Sequence, residues 1–169
     1  MKKICSLIVF SLITLGVFAQ ETNVTSFRGM PWGANRDSLI VKGKKLDFIR
    51  DKGSFPGVKN AYMIANDDMT IGSVKLTRIN YIFNDDNRLT KVYLEGPKDQ
   101  AEQMKFILDY KFGEHKNESK VDNIIYKQWL VKAVTFTLGE YEAMKFEVKI
   151  ESNWQASEAY KKNTTVDDF

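Results

Sequence analysis

Between residues 97 and 113 the apolar positions fall into a helical period. In "GPKDQAEQMKFILDYKFGEH", Ala101, Met104, Leu108 and Phe112 recur at helix spacing and Ile107 widens the same face, which predicts a one-sided helix over 98–112. Pro97 suits its first turn and Gly113 the residue just past its last. On either side the period shortens to that of strands. "YMIAN" at 62–66, "SVKLTRINYIF" at 73–83 and "LTKVYLE" at 89–95 read as three strands separated by the polar turns "DDMTIG" and "NDDN". Such short spacing predicts an antiparallel meander. After the polar linker "HKNESKVDN", three more strands are expected near 124–131, 133–138 and 144–151. The last alternates cleanly, Met144, Phe146, Val148 and Ile150 against Lys145, Glu147, Lys149 and Glu151, so its sheet has one buried and one wet face.

The stretch "FRGMPWGANRDSL" at 27–39 has a different character. Pro31 stiffens the backbone and Gly33 permits a sharp change of direction, after which Asn35 can cap a short helix beginning near Arg36. Trp32 is expected to fold back over Leu39 and Ile40, so Pro31, Trp32, Gly33 and Asn35 read as a structural clasp. Residues 43–60 are rich in glycine, lysine and turn formers, and predict a connection holding at most a short element.

This order of elements predicts an α+β fold: tandem helix-plus-three-strand units, 27–96 and 97–151, forming antiparallel sheet with helices packed on one face. A flexible mature N-terminus at 20–26 precedes the domain. A C-terminal tail at 152–169 follows it, with one helical turn around 156–161.

The first residues bear on compartment. Lys2 and Lys3 precede the apolar run "ICSLIVFSLITLGVFA", and Val17 and Ala19 supply the small residues of a cleavage site, so residues 1–19 read as a signal peptide cleaved near Ala19. A membrane anchor fits less well, because the run is short for a bilayer span. Cys5, the single cysteine, stands too early to carry a lipid. A chain starting at Gln20 therefore has no disulfide, thiolate metal site or cysteine nucleophile. Losing Lys2 and Lys3 takes the 25 basic residues to 23 against 22 acidic ones, a net charge of +1 that argues against a nucleic-acid partner. The remaining 150 residues suffice for one domain core.

Little in the chain points to catalysis. His115, the only histidine, lies in the polar turn after the helix without identifiable partners. No P-loop, dinucleotide fingerprint, HExxH or G-x-S-x-G pattern occurs. The acidic turns at 66–68 and 84–87 offer oxygens, yet EF-hand spacing is absent and Asn and Asp are what tight turns favour. No cofactor or metal is expected. Five aromatics in or beside strands, Tyr81, Tyr93, Tyr126, Trp129 and Tyr141, are the candidate partner-binding set, because aromatic side chains bury much area at little entropic cost.

The motifs "PWG-A-N" before a short helix, "YIFNDDNRL..VYL", a helix ending "KFGE", a tryptophan-bearing "YKQWL" and a final alternating strand resemble a group of small secreted or periplasmic proteins of Bacteroidetes-type bacteria. These are similar in architecture to the helix-plus-three-strand repeat of beta-lactamase-inhibitor-like and SmpA/OmlA-like envelope proteins. The resemblance covers about residues 27–151, and implies binding or scaffolding outside the cytoplasm. The expected function is thus a non-enzymatic, exported or envelope-associated protein whose sheet face contacts a protein or glycan of the cell envelope. It would have no transmembrane span once the signal is removed. The alternative is an enzyme or metal-binding protein with a site assembled from dispersed carboxylates. A continuous exposed aromatic strip with no deep polar pocket favours the first, and a cleft gathering several of the acidic residues favours the second.

Overall fold

Alternation of apolar and polar residues in the second half of the chain produces three strands of eight residues each. In the computed structural model, which describes residues 24–41, 43–51, 60–141 and 144–153, eight strands form one sheet. We number them β1 (Phe48–Arg50), β2 (Ala61–Ile64), β3 (Arg78–Phe83), β4 (Leu89–Pro97), β5 (Asn117–Val121), β6 (Ile124–Val131), β7 (Val134–Tyr141) and β8 (Lys145–Ser152). A single α-helix among the described residues, α1 (Ala101–Phe112), joins β4 to β5. The expected signal peptide at 1–19 and nearly all of the tail beyond residue 151 lie outside the described residues, as does most of 20–26.

The sheet order is β5-β6-β7-β8-β4-β3-β2-β1, and every pairing is antiparallel. Two four-stranded meanders therefore meet through their last strands, β4 and β8, in an unbroken register from Lys91↔Glu151 to Pro97↔Lys145. Antiparallel sheet with a helix on one side is thus the architecture. Each half contributes four sheet strands where three were expected, and the helical element of the first half is a single 3-10 turn, Arg36–Ser38. Asn35 caps that turn, its side chain accepting from the Asp37 N–H at 2.9 Å.

The differences have local causes. "SVKLTRINYIF" splits at Leu76–Thr77, so that Val74–Lys75 closes a two-stranded ribbon with Thr70–Ile71 while Arg78–Phe83 enters the main sheet. "NESKV", read as linker, is β5: it occupies the sheet edge with all five residues exposed, so it carries none of the apolar alternation that burial of one face demands. The start of 43–60, read as connection, supplies Lys44–Lys45, which pairs with Ile40–Val41 in a small ribbon, and then β1.

One face of the sheet holds the core. Val92, Leu94, Phe146, Val148, Ile150, Phe136 and Leu138 are buried there, and the helix lays Ala101, Met104 and Leu108 over them. Burying each of the larger side chains stabilises the fold by about 1.5–3 kcal/mol before entropy is counted. A register shift between Leu89 and Lys91 brings both Leu89 and Val92 to the core face although they are three residues apart. At Gly96 the approach is tightest: a Cβ there would stand 2.5 Å from Phe146 Cζ.

The 27–39 stretch docks on the β3–β4 hairpin. Gly33 N–H donates to the Leu89 carbonyl at 2.9 Å, Leu89 N–H to the Ala34 carbonyl at 3.0 Å, and Arg36 N–H to the Asn87 carbonyl at 2.9 Å. Gly33 takes a positive φ of 77° there, which a side chain would resist. Trp32 is half-buried against the core and its indole N–H reaches the Val24 carbonyl at 3.1 Å. Leu39 is buried as expected, but Ile40 is exposed, since it begins the small ribbon rather than lying under the indole.

Candidate functional site

Strand parity decides which side chains reach the face opposite the helix. On β4 and β8 they are Lys91, Tyr93, Glu95, Lys145, Glu147, Lys149 and Glu151, because their neighbours Val92, Leu94, Phe146, Val148 and Ile150 take the core side. On β6 and β7 the same rule presents Tyr126, Thr137, Gly139 and Tyr141.

These residues interlock into a band crossing the sheet. The Tyr141 hydroxyl donates to Glu147 Oε2 at 2.7 Å. Lys145 Nζ lies 2.8 Å from Glu147 and 3.1 Å from Glu95, and Arg78 approaches Glu95 at 3.7 Å. Glu95 and Glu147 stand directly opposite each other, an arrangement that repels until Lys145 is placed between them. A parallel pair of contacts ties Glu151 to Lys149 at 2.6 Å and to Lys91 at 2.8 Å. The lysine side chains keep 37–41 % exposure, so these are solvated pairs worth about 0–1 kcal/mol each. Their pattern therefore matters more to recognition than to stability.

Tyr126 and Tyr141 flank Gly139, where a Cβ would fall 3.2 Å from one ring and 3.6 Å from the other. Glycine at that position lets both rings approach the sheet. Burial, the hydrogen bond to Glu147 and that carboxylate's charge hold the Tyr141 phenol well above its ordinary range, so it is a neutral donor. Hydrogen bonds to Glu147 and Glu95, working against desolvation, raise the Lys145 ammonium, so that amine keeps its charge around neutrality.

Of the five aromatics expected on a binding face, Tyr93, Tyr126 and Tyr141 are there, and two are not. Tyr81 and Trp129 are 0 % and 1 % exposed on the helix side. Trp129 is pinned beneath the end of α1, its indole N–H bonded to Asp109 Oδ1 at 3.1 Å and to the Gly113 carbonyl at 3.0 Å. Tyr81 donates to Asp67 Oδ2 at 2.7 Å, and Arg28 meets Asp67 Oδ1 at 2.8 Å. Both rings lie where a large apolar body fills the core and its polar tip finds a partner. The tyrosines that remain alternate with ion pairs rather than forming a continuous aromatic strip. Glu95, Lys91 and Arg78, which complete the band, escape a linear reading because their partners come from other strands.

A concavity opens on the helix side, where the Ser26–Phe27/Met30–Pro31 ribbon faces the loop after β2. It holds about 520 Å³ and is lined by Arg28, Met30, Leu46, Ile64 and Tyr81, with Asp47, Asp67 and Asp68 at its polar wall. Asp67 has both oxygens engaged by Arg28 and Tyr81, and Asp68 Oδ1 accepts from the Thr70 hydroxyl at 2.7 Å. Burial first, then the Asp67 carboxylate, pushes the Tyr81 phenol far up, so it serves as a proton-bearing tie rather than a base. A neighbouring hollow of about 320 Å³ is walled by Arg36, whose guanidinium sits 4.5 Å over the Tyr62 ring.

The other acidic turn is occupied by its own backbone. Asn84 Oδ1 accepts from the N–H groups of Asp86 and Arg88 at 3.1 and 2.8 Å, and Asn87 takes a φ of 56°. His115 packs edge-on against Trp129 and lies 3.2 Å from Glu118. Among the described residues no three His, Cys, Asp or Glu side chains are grouped to hold a metal ion, and no helix is long and apolar enough to cross a membrane.

No family model matches this chain, and no curated protein matches it. A crystal structure of a DUF4309 family protein (YjgB) from Bacillus subtilis subsp. subtilis str. 168 is similar to it at a TM-score of 0.35 and 10% identity, over 44% of this chain. The match spans about half the length, 56%, of that protein.

Proposed function

We propose that this chain is a non-catalytic, exported binding protein of the cell envelope that presents the β6-β7-β8-β4 face to a protein partner. The observation that carries this reading is the band from Tyr126 and Tyr141 through Glu147, Lys145 and Glu95 to Arg78. It is broad, it mixes signs, and it sets aromatic area beside fixed charges, as protein recognition requires. Nucleic acid would call for a field of one sign, and a small ligand for a concavity. The helix-plus-strand repeat belongs to the same reading: each half runs from a helical element into a meander, and their last strands meet at the centre of the sheet.

In-cell crosslinking from Tyr126 and Tyr141, with identification of the captured proteins, tests the proposal. A discrete partner should be captured, and Lys145→Glu, which sets three carboxylates side by side, should abolish capture while thermal unfolding moves only slightly. Capture that survives Lys145→Glu together with Tyr141→Ala would refute the face as the site.

The tyrosines of the face do not form a continuous strip, and the 520 Å³ cleft gathers three aspartates, so a second reading, a site for a small polar ligand or substrate in that cleft, is supported as well. It predicts that Arg28→Ala removes ligand binding or turnover and that Lys145→Glu leaves both intact. The opposite outcome separates the two.

A further inference from the structure

We propose that β5 is a self-complementary edge through which two copies of this chain pair, joining their sheets into one. The argument begins with position. The strand ends the sheet order, and all five of its residues are exposed along their length. Its register against β6 runs without interruption from Asn117↔Gln128 to Val121↔Ile124, and it contains no proline and no bulge to spoil a further ladder. Alternate N–H and C=O groups of such a strand point away from β6, its one neighbour among the described residues, and can bond another strand.

What fixes the occupant is the order of charges in Lys116-Asn117-Glu118-Ser119-Lys120-Val121-Asp122. A two-fold axis normal to the sheet at Ser119 sets Glu118 opposite the partner's Lys120 and Lys120 opposite the partner's Glu118, while Asp122, at a φ of 52°, already belongs to the turn toward β6. Both cross-strand charge contacts within the strand are attractive. Moving the axis to Glu118 or Lys120 sets like charges opposite each other, and moving it by two residues shortens the overlap. Cross-strand pairs of opposite charge favour a register and like charges disfavour it. The edge at the other end, β1, has only Phe48, Ile49 and Arg50, so the same operation there opposes Arg50 to Phe48 and selects nothing.

Parity gives the pairing a consequence. Glu118 and Lys120 lie on the helix side with Lys127 and Ile125, while Ser119 shares the other face with Tyr126. A copy joined at Ser119 therefore places its tyrosine band in the same plane as the first, doubling the face. This inference does not depend on what that face binds.

Sedimentation of protein recovered from an exporting host, from micromolar to near-millimolar concentration, tests it. The chain should show a monomer–dimer equilibrium. Lys120→Glu and Glu118→Lys should each weaken self-association at least tenfold, since each sets two like-charged pairs together. An equimolar mixture of the two variants should form a heterodimer, because each then offers what the other lacks, and the double exchange E118K/K120E should dimerise again. Thermal unfolding shows that each variant is folded. A chain that stays monomeric throughout, folded variants that associate as the parent does, or a mixture that stays monomeric would each overturn the proposal.

Discussion

At the scale of single residues, the polar tips of buried aromatics hold the two sides of the fold together. Tyr81 is 0 % exposed and its hydroxyl reaches Asp67, which Arg28 also holds, so one phenol links β3, the loop after β2 and the N-terminal ribbon. Tyr81→Phe keeps the ring but strands a carboxylate oxygen, and should cost about 1–3 kcal/mol in denaturant unfolding. Asp109 is the counterpart under the helix, accepting from the Trp129 indole and from Lys105 at 2.7 Å. Desolvation pushes its carboxyl up, yet the hydrogen bonds from Lys105 and Trp129 together outweigh it and hold the group below its ordinary value of 3.8. A depressed carboxyl contributes stability above its unfolded pKa and loses it as pH falls through the folded value. Stability should therefore decline on the acid side of about pH 4, and Asp109→Asn should make that decline shallower when unfolding is followed from pH 5 to pH 2.

At the scale of elements, pairing of β4 with β8 depends on the absence of one side chain. Gly96 lies opposite Phe146, whose ring is fully buried. Gly96→Ala would bring a methyl to 2.5 and 2.6 Å from that ring and should destabilise the protein by about 1–3 kcal/mol, measured as a lowered thermal midpoint. The helix follows its sequence closely: Ala101, Met104 and Leu108 are buried, Gly113 ends it at a φ of 79°, and Phe106 and Tyr110 stack on the solvent side. β5 is the contrasting case. Strand formation there is imposed by the β6 edge, since "NESKV" has no apolar face of its own.

At the scale of the molecule, the last strands of the two meanders form the centre and the early strands form the edges. In the monomer, at concentrations below self-association, amide hydrogen exchange should be slowest in β4 and β8 and fastest in β1 and β5, because opening an edge strand exposes far less apolar surface than opening the centre. Uniform protection across all eight strands would contradict that gradient. The same arrangement places ionic residues from β3, β4 and β8 side by side, and this makes the candidate face.

What the chain alone determined is local: the amphipathic helix, the strands with a buried face, the turn chemistry at Asn84–Asn87 and the cap at Asn35. Each follows from periodicity or from a side chain bonding its own backbone. Tertiary structure decided the rest. Alternation says that Tyr93 and Val92 face opposite ways, but which of them meets the helix depends on the bulge near Thr90 and on pairing with β8. Trp129 and Tyr126 separate onto opposite faces by the same parity, and the ion pairs joining Glu95, Lys145 and Glu147 exist only once residues fifty positions apart share a register. Sequence periodicity encodes the difference between two faces, whereas the packing partner decides which face is covered.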